Sequence, residues 1–165
     1  MCGIVGFVGN RQAAPVLLES LSRLEYRGYD SAGLAVRDGD GPIKVVKAKG
    51  RLKVLEEKTN GGQALAGDCG IGHTRWATHG EPSETNAHPH SNEEGTIVGV
   101  HNGIIENYQE IREKLLKAGY TFYSETDTEI AAKLIDYYYK KTGTPLEAIT
   151  RSMLRIRGSY AFGIL

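Results

Sequence analysis

A cysteine stands directly behind the initiator methionine, at the head of an apolar run broken by glycines, Cys2-Gly-Ile-Val-Gly-Phe-Val-Gly9. Ile4, Val5, Phe7 and Val8 are too few and too tightly bracketed for a helix, so the run reads as a buried first strand. Any fold built on this chain must therefore place its N-terminus beside its core. Removal of Met1 would leave a thiol and a free α-amine on one residue. A cysteine nucleophile needs a base, and an α-amine, titrating near ~7.7–8.0, is partly neutral at physiological pH. The plain alternative is a buried thiol at the start of a strand.

The 165 residues suffice for one domain with a core of its own. Twenty acidic residues balance twenty basic ones, which leaves no bulk field to recruit nucleic acid or an anionic membrane. No apolar run reaches the ~18 residues of a spanning helix, and the start lacks the pattern of a signal peptide. Cys2 and Cys69 form no disulfide framework, so reduced thiols in the cytoplasm are the expectation. Glycine, 21 residues of the chain against a usual ~7%, implies tight turns and close backbone approaches.

Residues 13–26 carry Ala14, Leu17, Leu18, Leu21 and Leu24 at helical spacing, with Pro15 in the first turn and Gly28 as a stop. Segments 31–37 and 43–49 read as a hairpin around Asp38-Gly-Asp-Gly-Pro42. A short helix is expected at 51–58, and strands at 71–74 and 96–101. Three helices follow: 105–118, on the face of Tyr108, Ile111 and Leu115; 127–141; and one carrying Leu146, Ile149, Met153 and Ile156. The chain closes on a strand pattern, 158–165, whose last residue, Leu165, has nothing after it to pair or cover it. This end reads as a cut within an α+β layered domain.

Four polar, glycine-bearing segments abut these elements, where binding groups tend to sit: Tyr26–Gly33, His73–Ser83, His101–Asn107 and Ser124–Glu129. Asn102-Gly103 offers an amide and a backbone N–H to a developing oxyanion, or is an ordinary Asn-Gly turn. Arg75 can fork onto a carboxylate or form a surface ion pair. Asp127 can accept from an ammonium group or cap the helix that starts there. Arg27 suits a helix end. His73, His79, His88, His90 and His101 invite a metal reading, but no metal-ligand spacing accompanies them. Hydrogen-bonding histidines are the expected account, with no metal and no cofactor.

These motifs together resemble the glutaminase domain of the glutamine–fructose-6-phosphate aminotransferases, within the class II glutamine amidotransferases. Cys2-Gly-Ile-Val-Gly6 is similar to the start of glutaminases with an N-terminal nucleophile, a set that includes asparagine synthetase, glutamate synthase and amidophosphoribosyltransferase. Tyr26–Gly33, His73–Ser83, Asn86–His90 and Val100–Asn107 resemble the hexosamine-forming enzymes more closely. The resemblance implies a four-layer αββα sandwich of N-terminal nucleophile hydrolases, truncated at its C-terminal end. It implies hydrolysis of L-glutamine to glutamate and ammonia through a cysteine thioester, with Cys2 as nucleophile and Asn102 and Gly103 as oxyanion hole. By the same resemblance Arg75 grips the glutamine carboxylate and Asp127 its ammonium. Thr78 and His79 belong to a closing loop, Trp76 gates ammonia, and Arg27 supports the nucleophile. In the family the ammonia passes to sugar-phosphate isomerase domains, absent from these 165 residues, in an enzyme expected to be a homo-oligomer. The rival readings are a catalytically silent glutamine-binding fragment and a histidine-rich metalloenzyme.

Overall fold

The structure is a computed structural model and describes residues 2–27, 29–77 and 80–165. Two antiparallel sheets lie at its centre. The first has the order β1 (Gly3–Val8), β4 (Cys69–Arg75), β2 (Ser31–Arg37), β3 (Lys44–Lys49). The second has the order β5 (His90–Ser91), β6 (Val98–Gly103), β7 (Tyr160–Ile164). Helices α1 (Ala13–Ser22) and α2 (Leu52–Lys58) cover the first sheet. Helices α3 (Tyr108–Lys117), α4 (Asp127–Thr142) and α5 (Pro145–Met153) group on the second.

Three apolar clusters fill the spaces between these layers. Leu17, Leu18 and Leu21 of α1 meet Leu34, Val36 and Leu55 on the outer face of the first sheet. Ile111 and Leu115 of α3 and Ile130 and Leu134 of α4 build the core beyond the second sheet. Between the sheets lies a smaller set, Ala35, Ile71, Val98 and Val100, joined by Ile4, Ile43 and Leu165. The sandwich is therefore helix, sheet, sheet, helix, as the resemblance implies.

The period of two along each strand explains how these layers come so close. In β4, a Cβ on Gly70 would stand 2.9 Å from Leu17 Cδ1, and one on Gly72 would stand 3.0 Å from Leu21 Cδ1, so these glycines admit α1. The alternate residues, Ile71, His73 and Arg75, face the second sheet. In β1 the same face carries Ile4, directly opposite His73 in register, and the residue just before the strand is Cys2. In β6 it carries Val98, Val100 and Asn102.

Several boundaries differ from the sequence expectation. The first helix stops at Ser22, and a 3-10 turn at Glu25–Arg27 follows, so Leu24 is not helical; Gly28 lies outside the described residues. The helix expected from 105 starts at Tyr108, because Ile105 is pinned as loop: its N–H donates to Asp127 Oδ2 at 2.9 Å. In α5 the buried residues are Ala148 and Ser152, while Leu146 is 78% exposed, and Ile156 is buried beyond the helix end. The strand expected over 96–101 runs from Val98 through Asn102 and Gly103, which pair with Ala161 and Tyr160. These two residues are thus strand, not turn. Leu165 exchanges backbone hydrogen bonds with Val98, a residue well before it in the sequence, at 2.8 and 2.9 Å.

Gly33 marks the tightest approach to the segment carrying His88. A Cβ there would stand 2.1 Å from the His88 carbonyl oxygen, whereas one on Gly6 meets nothing within 4 Å. Gly33→Ala is expected to destabilise the chain by about 1–3 kcal/mol through overpacking, and Gly6→Ala by well under that. Denaturant melts of the two variants check the contrast.

Candidate active site

Cys2 sits where β1 meets the C-terminal end of β4. The Trp76 backbone N–H donates to Cys2 Sγ at 3.2 Å, and the thiol points to the Trp76 carbonyl oxygen at 3.5 Å. Trp76 thus holds the sulfur with its main chain, while its half-exposed ring makes an edge contact with Tyr29, centroids 5.5 Å apart. Cys69, at the other end of β4, pairs with Val8 and Arg37, remote from this corner.

Asn102 approaches Cys2 from the second sheet. Its Nδ2 donates to the Cys2 carbonyl oxygen at 3.1 Å, and its Oδ1 lies 2.9 Å from His73 Nε2. Gly103, next in β6, has φ +119°, and a Cβ there would stand 2.1 Å from the Ser159 carbonyl oxygen. Only glycine fits this point, where β6 and β7 meet beside the thiol.

Arg75 is buried at the end of β4. It donates to the carbonyl oxygens of Gly80 (3.2 Å) and Glu81 (3.3 Å), so it also fastens the loop that follows it. Burial pulls its pKa below the usual guanidinium value, while neighbouring Cys2, Asp30, Asp127 and Glu125 favour its charge. Asp127 is the first residue of α4 rather than its cap. Thr126 takes the capping role, its side chain accepting from the Glu129 N–H. This frees the Asp127 carboxylate to accept from Ile105 and to stand 3.7 Å from His101 Nδ1. Cys2, Arg75, Gly103, Asp127 and Thr128 line one small cavity of about 30 Å³. A more open groove on its other side carries Cys2, Arg27, Trp76, Asn102 and Tyr160. Thr78 and His79 lie outside the described residues.

The four described histidines form a buried hydrogen-bonded group. His73 stacks on His88 with centroids 4.1 Å apart, and His88 Nε2 lies 2.6 Å from Thr128 Oγ1. His101 Nδ1 reaches the same hydroxyl at 3.1 Å, and His90 Nε2 lies 2.9 Å from Thr126 Oγ1. Among the described residues, no group of three or more His, Cys, Asp or Glu side chains is arranged to hold a metal ion. Burial lowers the pKa of His73 to about 4, and takes His88 and His90 well below the ordinary histidine value.

Some residues act here without having been assigned a role by sequence. Asp30 accepts from the Ala77 N–H at 2.9 Å, and its own N–H donates to the Arg75 carbonyl oxygen, so it shapes the exit from β4. Asn86 exchanges hydrogen bonds with Glu125 at 3.0 Å, tying the 80–86 loop to the entry of α4. Lys47, its pKa lowered to about 8 by burial, donates to the Thr85 and Pro89 carbonyl oxygens. Asp30 and Asn86 fall within segments that the sequence picks out. Lys47 lies in a polar strand, and no local signal marks it.

A histidine in an unfolded chain titrates near ~6.5. Below that pH the unfolded chain binds protons that the three buried imidazoles refuse, so stability falls as pH drops towards their folded values. Between pH 7 and 5.5 each such histidine is expected to cost about 1 kcal/mol of stability. Equilibrium unfolding in denaturant at the two pH values measures the sum, and equal stabilities would contradict the buried neutral assignment.

Comparison with known proteins places this geometry. A glutamine amidotransferase domain family matches residues 73–165. The chain is 61% identical over its whole length to a glutamine–fructose-6-phosphate aminotransferase (isomerizing) of Clostridium tetani, and 53% identical to that of Escherichia coli. It spans about a quarter of these relatives, 26% and 27% of their lengths. Among solved structures, the glutamine phosphoribosylpyrophosphate amidotransferase of B. subtilis superposes with a TM-score of 0.82 at 28% identity, over 98% of this chain and 34% of that one. An allosteric regulatory enzyme of purine biosynthesis superposes with a TM-score of 0.84 at 27% identity, over 98% and 35%.

Proposed function

Because the chain belongs to the glutamine amidotransferase family, we propose that the cavity beside Cys2 hydrolyses L-glutamine to glutamate and ammonia. One observation carries this reading. A thiol at the chain's start, a cation and an anion suited to the two ends of an amino acid, and a strand glycine line a single small cavity, with the Asn102 amide turned to the same corner. Its walls are polar where an amino acid is charged.

The proposed course begins with removal of Met1. The freed α-amine takes the Cys2 thiol proton, and the thiolate attacks the glutamine γ-carbonyl carbon. The carbonyl oxygen becomes an oxyanion, held by Asn102 Nδ2–H and the Gly103 N–H. The ammonium returns its proton to the departing nitrogen, the C–N bond breaks, and ammonia leaves behind a γ-glutamyl thioester. Water, deprotonated by the same amine, then attacks the thioester carbon; the C–S bond breaks, glutamate leaves, and the ammonium returns its proton to the Cys2 thiolate. Arg75 binds the α-carboxylate and Asp127 the α-ammonium throughout. Trp76 bounds the way out, and Arg27 supports the nucleophile's corner from the open groove. The closing role of Thr78 and His79 belongs to the same reading.

In an enzyme of the relatives' full length, residues 1–165 would fall within the glutaminase domain. The ammonia would pass to sugar-phosphate isomerase domains to aminate fructose 6-phosphate, within a homo-oligomer. Among the described residues no helix is long and apolar enough to cross a membrane, and both cysteines are free. A reducing cytoplasm is the compartment that suits a thiol nucleophile.

Glutamate release from glutamine tests the reading. The Met1-processed chain should be active, Cys2→Ala inert and Cys69→Ala nearly unaffected. A form retaining Met1 should be inert at every pH, since an amide nitrogen is no base. Equal rates with and without Met1 would overturn the mechanism. Asn102→Ala should lower kcat by about 10²–10³-fold with little change in KM, as expected when a donor serves only the transition state. A change confined to KM would make Asn102 a substrate-binding residue instead.

A further inference from the structure

Resting on that reading, we infer that His73 is a positioning residue that fixes which end of the Asn102 amide faces the nucleophile. A carboxamide presents nearly the same shape after a 180° flip, but the flip exchanges donor for acceptor. Asn102 with its oxygen towards Cys2 would repel an oxyanion rather than hold it. Something must therefore choose, and His73 makes the choice in a way the geometry decides.

His73 Nε2 lies 3.2 Å from the His101 main-chain carbonyl oxygen and 2.9 Å from the Asn102 side chain. A main-chain carbonyl can only accept, so Nε2 carries the hydrogen. The Asn102 atom sharing that hydrogen must then be Oδ1, which leaves Nδ2 on the Cys2 side, where it donates to the Cys2 carbonyl oxygen. The ring is held from several directions. It is fully buried, stacks on His88, and sits in register between Ile4 of β1 and Gly33 of β2. Its Nδ1 has no hydrogen-bond partner among the described residues, which is the state of an unprotonated nitrogen in the Nε2–H tautomer. Burial keeps the imidazole neutral, with a pKa of about 4. The two acceptors belong to consecutive residues of β6, so one N–H also ties β4 of the first sheet to β6 of the second.

A positioning residue and a mere space-filler respond differently to substitution. His73→Leu keeps bulk but loses the donor, and should lower kcat for glutamine hydrolysis by about 10²-fold, with KM changed by less than about twofold. His73→Gln can return an amide N–H to the place of Nε2 and should recover to within about tenfold of the unaltered chain. In an Asn102→Ala background, His73→Leu should cost almost nothing further, because the group it aims is gone. Equal penalties in both backgrounds, or a Gln variant no better than Leu, would overturn the inference. Should the Leu variant not fold, His73→Asn takes its place, since its shorter amide cannot reach Asn102. Nitrogen-15 NMR of the imidazole at neutral pH is an independent measurement: the Nε2–H tautomer is expected, and an Nδ1–H tautomer overturns the proposal. An unaltered chain that released no glutamate would fail the glutaminase reading instead, with the tautomer still judging His73.

Discussion

The site depends on two sheets meeting face to face across a narrow apolar gap. Ile4, Ile71, Val98 and Val100 hold that gap together. Strand alternation extends the same face, two residues on, to Cys2's neighbourhood, His73, Arg75 and Asn102. Candidate site and core are thus successive positions of the same strands, so whatever fixes the packing also fixes the distances between the groups proposed to react. Such precision suits catalysis, where about an ångström of misplacement can cost 10²-fold in rate.

Placing polar groups at the end of a core carries a cost. Ser31, Thr74 and three of the imidazoles each leave a buried polar atom without a hydrogen-bond partner among the described residues. A buried unsatisfied group typically costs ~1–3 kcal/mol, which the surrounding apolar layers must offset. The neutral form is the one that His73, His88 and His90 tolerate, since burial disfavours their charge and a proton on one would face its neighbours and Arg75. Thr126 and Thr128 supply hydroxyls that can donate or accept, which lets His88, His90 and His101 each find a partner at the head of α4.

A second group of contacts holds the loop between β4 and β5 from outside. Arg75 grips its start, Asn86 and Glu125 join its middle to α4, and Lys47 takes two carbonyl oxygens at its end. Glu129, buried with Lys133 at 2.8 Å, accepts from the Tyr123 and Ser124 N–H groups and so shapes the approach to Asp127. Arg75 joins both groups, serving loop and cavity with one guanidinium.

By itself the sequence determined the strand of the first residues, the β2–β3 hairpin, the existence of the five α-helices among the described residues, and the polar glycine-bearing segments that converge on the site. Each of these rests on local chemistry: periodicity, glycine, or residues suited to a charged ligand. Tertiary structure decided the rest. Asn102-Gly103 reads locally as a turn but is strand, because β7, nearly sixty residues later, pairs with it. Asp127 reads as a cap but is released from that duty, because Thr126 takes it and Ile105 reaches across to the carboxylate. Leu146 reads as core but faces outward, since α5 meets its neighbours through Ala148 and Ser152. His73 is one histidine among five in the sequence, and only the crossing of β4 over β6 sets its Nε2 against Asn102. Local pattern records what a residue can do, whereas a contact between distant strands selects which of those things it does.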